Sequence, residues 1–361
     1  MVANKSDGMN YAPDVKSKGP VVKPGEFVYA AAFLDHGHIM GMASGLNEAG
    51  GLCKYVYDPD PQRVENFIKA FPSVKPAPDF ETILQDPEIH MVAAAGITNT
   101  RGATGIKVME HGKDYFVDKA PFTTIAQLNA AKDVVKKTGK KYMVYYSERL
   151  HTESSTYAGQ LVHGGAIGKV IQVMGLGPHR LNAPSRPGWF FDKEQYGGIL
   201  CDIGSHQVEQ FLYYANAKDA EVLHSKVGNY NNPKYPELED FGDATLVADN
   251  GATNYFRVDW FTPDALPTWG DGRMFILGTK GYIEVRKYID ICQDSKRMDH
   301  VYLCNETDYI HTCVDGKVGC PYFGELILDI LNRTEIAMTQ DHAFKSAELC
   351  ILAQEKAIRI C

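Results

Sequence analysis

No stretch of the 361-residue sequence reaches the roughly 20 consecutive apolar residues that a membrane-spanning helix needs, so no such segment is expected. Residues 1–24 form a polar tail, with Lys5, Lys16, Lys18 and Lys23 among Asp, Asn, Gly and Pro, and lack the apolar core of a secretion signal. Cysteine is scarce and unpatterned. The eight cysteines include no CxxC pair, and Cys304, Cys313 and Cys320 around His311 follow no regular ligand spacing, so no metal is expected. Free thiols in a reducing cytoplasm are the simplest reading. Basic charge is also in deficit, with 37 Lys and Arg against 45 Asp and Glu for a net charge of -8. Without a basic stripe there is no footprint for nucleic acid or an anionic membrane, which leaves a small molecule as the expected partner. No internal repeat or low-complexity tract points to a solenoid or a disordered chain.

What remains is an ordinary globular composition, 44% hydrophobic and 23% charged, in a chain long enough for two domains. From residue 25 the pattern alternates: strands over 27–34, 52–57, 91–95, 114–117 and 141–146, separated by helices over 39–48, 61–71, 102–111 and 125–137. Short apolar strands between helices imply a doubly wound parallel sheet, a Rossmann domain over 25–149. After Leu150 the rhythm changes to strands in succession, over 221–228, 243–247, 253–260, 273–277 and 282–285. That implies a second, α+β domain over 150–361 with a large, mainly antiparallel sheet. One face of that sheet would need cover, so a homo-oligomer through it is expected.

A dinucleotide fold binds phosphates at the helix that follows its first strand. The turn there reads Asp35-His36-Gly37-His38-Ile39-Met40-Gly41, with one glycine of the usual fingerprint in place. Asp58 follows Gly37 by 21 residues (58 − 37) and ends the second apolar strand, where a carboxylate can bond the ribose hydroxyls and repel a 2′-phosphate. NAD is therefore expected in preference to NADP. Lys119 stands at the carboxyl end of the strand over 114–117, and Asp202 and His206 stand four apart on one expected helix over 202–215, behind the pair Gly197-Gly198, which permits close approach by another chain segment or a cofactor. His, Lys and Asp in that company suit removal of a hydroxyl proton as a hydride leaves.

Together these motifs resemble the Gfo/Idh/MocA family, the glucose–fructose oxidoreductase and inositol dehydrogenase group, from residue 26 to the C-terminus. The family's Glu-Lys-Pro motif corresponds to Asp118-Lys119-Ala120, and its Gly-Gly-x-x-x-Asp-x-Gly-x-His motif to Gly197, Gly198, Asp202, Gly204 and His206. Its Thr-Pro-Asn-x-x-His stretch corresponds to the segment around Thr98 and Asn99, with Arg101 in the place of the His. The resemblance implies that Lys119, Asp202 and His206 surround the reacting carbinol. Gly37, His38, Ile39, Asp58, Thr98, Asn99, Asp118 and Lys119 are the expected NAD contacts. Arg149, His179, Arg186 and Trp189, with Asp202 and His206, are the expected substrate contacts, since donors beside aromatic faces suit a sugar ring. The expected reaction is oxidation of a secondary ring hydroxyl of a sugar or glycoside, foremost C3 of a glucoside. The alternatives are an inositol or polyol dehydrogenase, a glycoside-cleaving enzyme that recycles NAD, and a non-catalytic sensor of NAD or sugar.

Overall fold

The computed structural model describes residues 18–293 and 298–361. Lys5 and Lys16 of the expected tail lie outside these residues. The described chain divides into two compact units, one of residues 18–145 with Cys320–Phe344, the other of Tyr146–Gly319 with Lys345–Cys361.

In the first unit the elements run β1 (Val28–Ala32), α1 (His38–Glu48), β2 (Leu52–Tyr57), α2 (Pro61–Ala70), β3 (Lys75–Pro76), α3 (Phe80–Gln85), β4 (Met91–Ala94), α4 (Arg101–Glu110), β5 (Asp114–Asp118), α5 (Ile125–Thr138) and β6 (Tyr142–Tyr145). All pairings are parallel, in the order β3-β2-β1-β4-β5-β6, so the strand order reverses between β1 and β4. Every residue of β1, β4, β5 and β6 is buried. That burial explains why these strands read as unbroken apolar runs rather than alternating ones. The turns are equally local in origin: the Thr124 side chain caps α5 at its start, and Gly139, at φ 67°, ends it in the left-handed conformation that glycine adopts freely.

The second unit begins with α6 (Ser147–Leu150), α7 (Glu153–His163), β7 (Val170–Pro178), α8 (Lys193–Tyr196), α9 (Ile199–Asp202) and α10 (Gly204–Ala215). Then come β8 (Ala220–Gly228), β9 (Phe241–Ala248), β10 (Thr253–Asp259), β11 (Arg273–Gly278), β12 (Gly281–Arg286), β13 (His300–Asn305) and β14 (Tyr309–Cys313). The chain closes with α11 (Tyr322–Asn332), α12 (Gln340–Lys356) and β15 (Ile358–Arg359). The sheet has nine strands in the order β14-β13-β12-β11-β7-β10-β9-β8-β15, and only the β7–β10 and β8–β15 pairs are parallel.

Two placements differ from the sequence reading. Residues 320–344, assigned above to the second domain, pack with the first unit. There Phe323 of α11 occupies the space a Cβ on Gly45 of α1 would fill, and the Gln340 side chain accepts from Tyr142 N–H at 2.8 Å and donates to its carbonyl at 2.6 Å. A linear reading has no signal for a late helix that returns to an early sheet. The helix expected over 202–215 is also split. The α9 helix ends at Asp202 and α10 starts at Gly204, with Ile203 between them still in right-handed helical conformation. The Ser205 hydroxyl takes the Asp202 carbonyl at 2.7 Å, in the manner of a local side-chain bond that competes with the helix ladder.

The α10 helix is buried along almost its whole length and lies on β7. Gly175 and Gly177 make the room: a Cβ on Gly175 would overlap Gln207 Oε1, and one on Gly177 would lie 2.8 Å from Gln207 Nε2. Gly175→Ala is expected to cost about 1–3 kcal/mol by overpacking. Urea denaturation would check this, with Gly188→Ala, where a Cβ meets nothing within 4 Å, as the neutral control.

Candidate active site

The residues assigned to the cofactor gather at the carboxyl ends of adjacent strands in the first unit. Gly37 and His38 follow β1, Asp58 follows β2, Thr98 and Asn99 follow β4, and Asp118 and Lys119 end β5. Open α/β sheets bind ligands at this edge where the strand order reverses. Gly37 sits at the N-cap of α1 with no side-chain cap, and the first turn carries no acidic residue, so anionic phosphates meet no like charge there. Asp58 is buried. Its Oδ2 accepts from Leu34 N–H at 2.6 Å and its Oδ1 from Asp60 N–H at 2.8 Å, which ties the first loop to the end of β2. Arg63 stands beside it, 3.4 Å from Asp58 Oδ1 and 2.6 Å from Asp35 Oδ1. The glycine-poor loop is thus held by carboxylates and a guanidinium where the usual fingerprint relies on tight turns. An uncapped α1 N-terminus and a carboxylate at the end of β2 are compatible with the phosphates and hydroxyls of a dinucleotide.

Around Lys119 the structure is more built than the sequence suggested. Arg101 is the largest fully buried side chain, 1% exposed. Its Nε donates to Gly96 O at 2.7 Å. Its Nη1 donates to the carbonyls of Asp118 at 3.1 Å, of Ala120 at 3.0 Å and of Lys119, and its Nη2 reaches Asp118 Oδ2 at 3.2 Å. One planar guanidinium therefore clamps the end of β4 and three consecutive carbonyls of the lysine-bearing segment. Asp118 is wholly buried between Arg101 and two imidazoles. His38 Nδ1 lies 2.8 Å from its Oδ1, and His36 Nδ1 lies 3.6 Å from its Oδ2. Burial alone would raise the Asp118 carboxyl, but His38 and Arg101 outweigh it and hold it well below the usual carboxylate range. Burial and the neighbouring His38 keep the His36 imidazole neutral. Asp118, expected to contact NAD, has both oxygens engaged within this cluster.

His36, His38 and Asp118 are the one group among the described residues with metal-ligand spacing, all ligand atoms within 4.8 Å. The electrostatics argue against a cation there. Arg101 already neutralises Asp118, and His36 Nδ1 accepts the His38 N–H at 3.1 Å, which occupies the lone pair a metal would use.

In the second unit, Asp202 closes α9 half-buried and His206 lies buried in the first turn of α10. Gly197 and Gly198, at φ 87° and 94°, admit the Gln354 side chain of α12, which takes the space of a Cβ on Gly198 and accepts from Leu200 N–H at 2.9 Å. The close approach expected at this glycine pair is therefore made by a glutamine of the same chain. Three of the expected substrate contacts are engaged internally. Arg149 is paired with Glu209 at 2.5 Å and lies over the Tyr213 ring. Arg186 donates to the carbonyls of Leu181 and Arg180 and lies over the Phe190 and Trp260 rings, 4.6 and 4.9 Å from the ring centres. Trp189 is buried against Phe190. A buried guanidinium takes whatever acceptors its fork can reach, and here backbone carbonyls and Glu209 supply them. His179 lies between Trp269 and Trp260 with Nε2 3.7 Å from Glu148.

Comparison with known proteins agrees with this architecture. Residues 40–146 match the domain described as oxidoreductase family, NAD-binding Rossmann fold, and residues 156–284 match the GFO/IDH/MocA C-terminal domain. The chain belongs to the Gfo/Idh/MocA oxidoreductase family. An oxidoreductase crystal structure from Erwinia carotovora atroseptica SCRI1043 is 46% identical, covering 93% of this chain and 100% of that one with a TM-score of 0.90. The scyllo-inositol 2-dehydrogenase (NAD(+)) of Bacillus subtilis (strain 168) is 26% identical over 302 residues, 79% of this chain and 84% of that protein. Levoglucosan dehydrogenase in complex with NADH and levoglucosan shares the fold, with a TM-score of 0.76 at 18% identity over 92% of this chain and 97% of that one. The family relationship makes the chain an NAD-binding oxidoreductase related to named dehydrogenases of sugars and polyols. No described helix is long and apolar enough to cross a membrane.

Sequence reasoning missed Arg101 as a functional residue and noted it only as a departure from the family's His. The signal was available: an arginine at the start of a helix packed on a buried sheet needs acceptors, and carbonyls at the end of the adjacent β5 can provide them. Gln207 and Lys287, buried around α10, carried no motif at all.

Proposed function

We propose that this chain oxidises a secondary ring hydroxyl of a neutral sugar, polyol or glycoside, foremost C3 of a glucoside, with NAD as hydride acceptor. The observation that carries the reading is the clamp on Lys119. A fully buried arginine spent on three consecutive carbonyls is costly unless the ammonium they position has work to do. Neutrality of the substrate is supported by the internal engagement of Arg149 and Arg186, which leaves neither guanidinium for a substrate carboxylate. In this reading NAD supplies the hydride-accepting ring. Lys119 holds the oxygen that develops negative charge, His206 or Lys119 accepts its proton, and Asp202 orients a second hydroxyl. The test is a screen of free sugars, inositols and O- and C-glycosides with NAD and NADP, following the reduced nicotinamide. Reduction with a glycoside, together with a 3-keto product, supports the reading, and reduction with inositols alone would move the substrate to that class.

Asp58 is expected to favour NAD, because a 2′-phosphate would meet its carboxylate. Asp58→Ala should lower the NAD-to-NADP ratio of kcat/KM by about tenfold or more, with Arg63 left as a phosphate partner. An unchanged ratio would remove Asp58 from the ribose site.

Two further assignments belong to this reading. The outward face of the second sheet carries Phe275 and Leu277 on β11, with Tyr282 directly opposite Leu277 on β12, and these are 38%, 44% and 49% exposed. An exposed apolar patch on a sheet face calls for cover, and a second copy of the chain is the proposed occupant. A monomeric mass by light scattering at micromolar concentration would contradict this. All eight cysteines are free, in keeping with a cytoplasmic location.

A further inference from the structure

We propose that Asp35 and Arg63 form an ion pair that sets the affinity of the first unit for NAD, with Arg63 cancelling a carboxylate that would otherwise oppose the pyrophosphate. The inference rests on the NAD-binding fold and not on the sugar reading. In the fingerprint G-x-G-x-x-G the middle place is held by Gly37, so Asp35 stands where the first glycine would be. It lies two residues ahead of the α1 N-cap, where free N–H groups and the helix dipole favour phosphate. A fixed negative charge at that place works against the same ligand. Arg63, in the first turn of α2, reaches across to it, and its Nη1 donates to Asp35 Oδ1 at 2.6 Å. The pair draws on three strand ends: Asp35 follows β1, Arg63 follows β2, and a Cβ on Gly96, just after β4, would lie 3.8 Å from Asp35 Oδ2.

Two other carboxylates lie near Arg63, but the short bond is the one to Asp35. Asp58 Oδ1 is 3.4 Å from Nη1, and Asp58 already accepts the N–H of Leu34 at 2.6 Å and that of Asp60 at 2.8 Å. Asp60 Oδ2 is 3.7 Å from Nε, beyond hydrogen-bond reach, and its Oδ1 caps α2 by accepting from Gln62 N–H at 2.9 Å. The Asp35 side chain is 14% exposed and that of Arg63 34%, so water screens their charges only in part. Burial lifts the Asp35 carboxyl above its ordinary value against the pull of Arg63, Asp58 adds to the rise, and Arg101 opposes it. Without the guanidinium, Asp35 and Asp58 would stand as neighbouring negative charges beside the cofactor loop.

The net charge of the pair, rather than the identity of either residue, is then what NAD responds to. The test is the dissociation constant for NAD, by titration calorimetry on the full chain at mildly alkaline pH, where Asp35 is ionised. Arg63→Gln leaves the pair negative and is expected to weaken NAD by about tenfold. Asp35→Asn leaves it positive and should tighten NAD. The double variant Asp35→Asn with Arg63→Gln is neutral again, like the wild type, and should return to within about threefold of it. All these differences should shrink as salt is added. Adenosine, which carries the ribose without the phosphates, should bind the four forms alike. If Arg63→Gln alone does not fold, Asp35→Asn and the double variant carry the same comparison with the wild type. A double variant as weak as Arg63→Gln, or weaker than wild type by about tenfold, would make Arg63 a direct ligand of the cofactor and overturn the proposal. Adenosine losing affinity in step with NAD would make the pair a structural tie, and wild-type affinity in Arg63→Gln would leave it without a role; either result also overturns it. None of these measurements uses turnover, so a failure of the sugar assignment leaves their outcome intact.

Discussion

Lys119→Ala and His206→Ala are each expected to lower kcat by about 100-fold or more, the scale of a positioned acid–base group, while the dissociation constant for NAD measured by fluorescence changes little. The two residues come from different units, so a common role has a sharp signature. If both serve one proton transfer, the double variant loses much less than the product of the single losses, because the second removal acts on a step already disabled. Asp202→Ala should raise KM at least as much as it lowers kcat, since a half-buried carboxylate suits gripping a hydroxyl better than taking its proton. Near-wild-type turnover in His206→Ala would leave Lys119 as the base. Near-wild-type turnover in both single variants would remove the mechanism and favour a sensor.

Arg101→Ala is expected to be the most damaging single change in the first unit. It would strip the carbonyls of Gly96, Asp118, Lys119 and Ala120 of their donor and leave Asp118 buried with one less cation. Breaking a buried ion pair from one side costs about 3–5 kcal/mol, and the lost carbonyl bonds add to that. Arg101→Lys should rescue little, because an ammonium cannot reproduce a planar fork that serves Nε, Nη1 and Nη2 acceptors at once. Denaturation midpoints measure the stability arm. The functional arm is kcat under conditions where the variant is folded, and it should fall well beyond any change in NAD affinity, because the clamp holds the backbone that carries Lys119. If Arg101→Lys retains full kcat and stability, the clamp is dispensable and the ammonium is positioned by other means.

The first unit was legible because its strands are buried on both faces. The segments 52–57 and 114–117 needed only their apolar runs and the turns around them to be placed within a residue of β2 and β5. The second sheet was legible in its centre and lost at its edge. The β14 strand exposes Tyr309, Ile310 and His311, so no alternation marks it, and β3 and β15 have two residues each. At the site, types of residue were readable and partners were not. Arg149 and Arg186 look like ligand-binding arginines in a linear sequence, since nothing local shows that Glu209 or the carbonyls of Arg180 and Leu181 will reach them. Gly197-Gly198 announced a close approach correctly, yet the approaching group was Gln354, more than 150 positions away. Pairings across such distances are set by tertiary packing, which composition and periodicity do not encode.

The proposed function requires that this NAD-binding chain remove hydride from a secondary ring hydroxyl. The most direct measurement is the stoichiometry of reduced nicotinamide against ketone formed when purified wild-type protein and NAD meet the panel of sugars, inositols and glycosides. Equimolar reduced nicotinamide and ketone from at least one of them, lost in Lys119→Ala at unchanged NAD affinity, is the expected result. Tight binding of NAD with no reduction by any compound, at any pH at which the protein is folded, would contradict it.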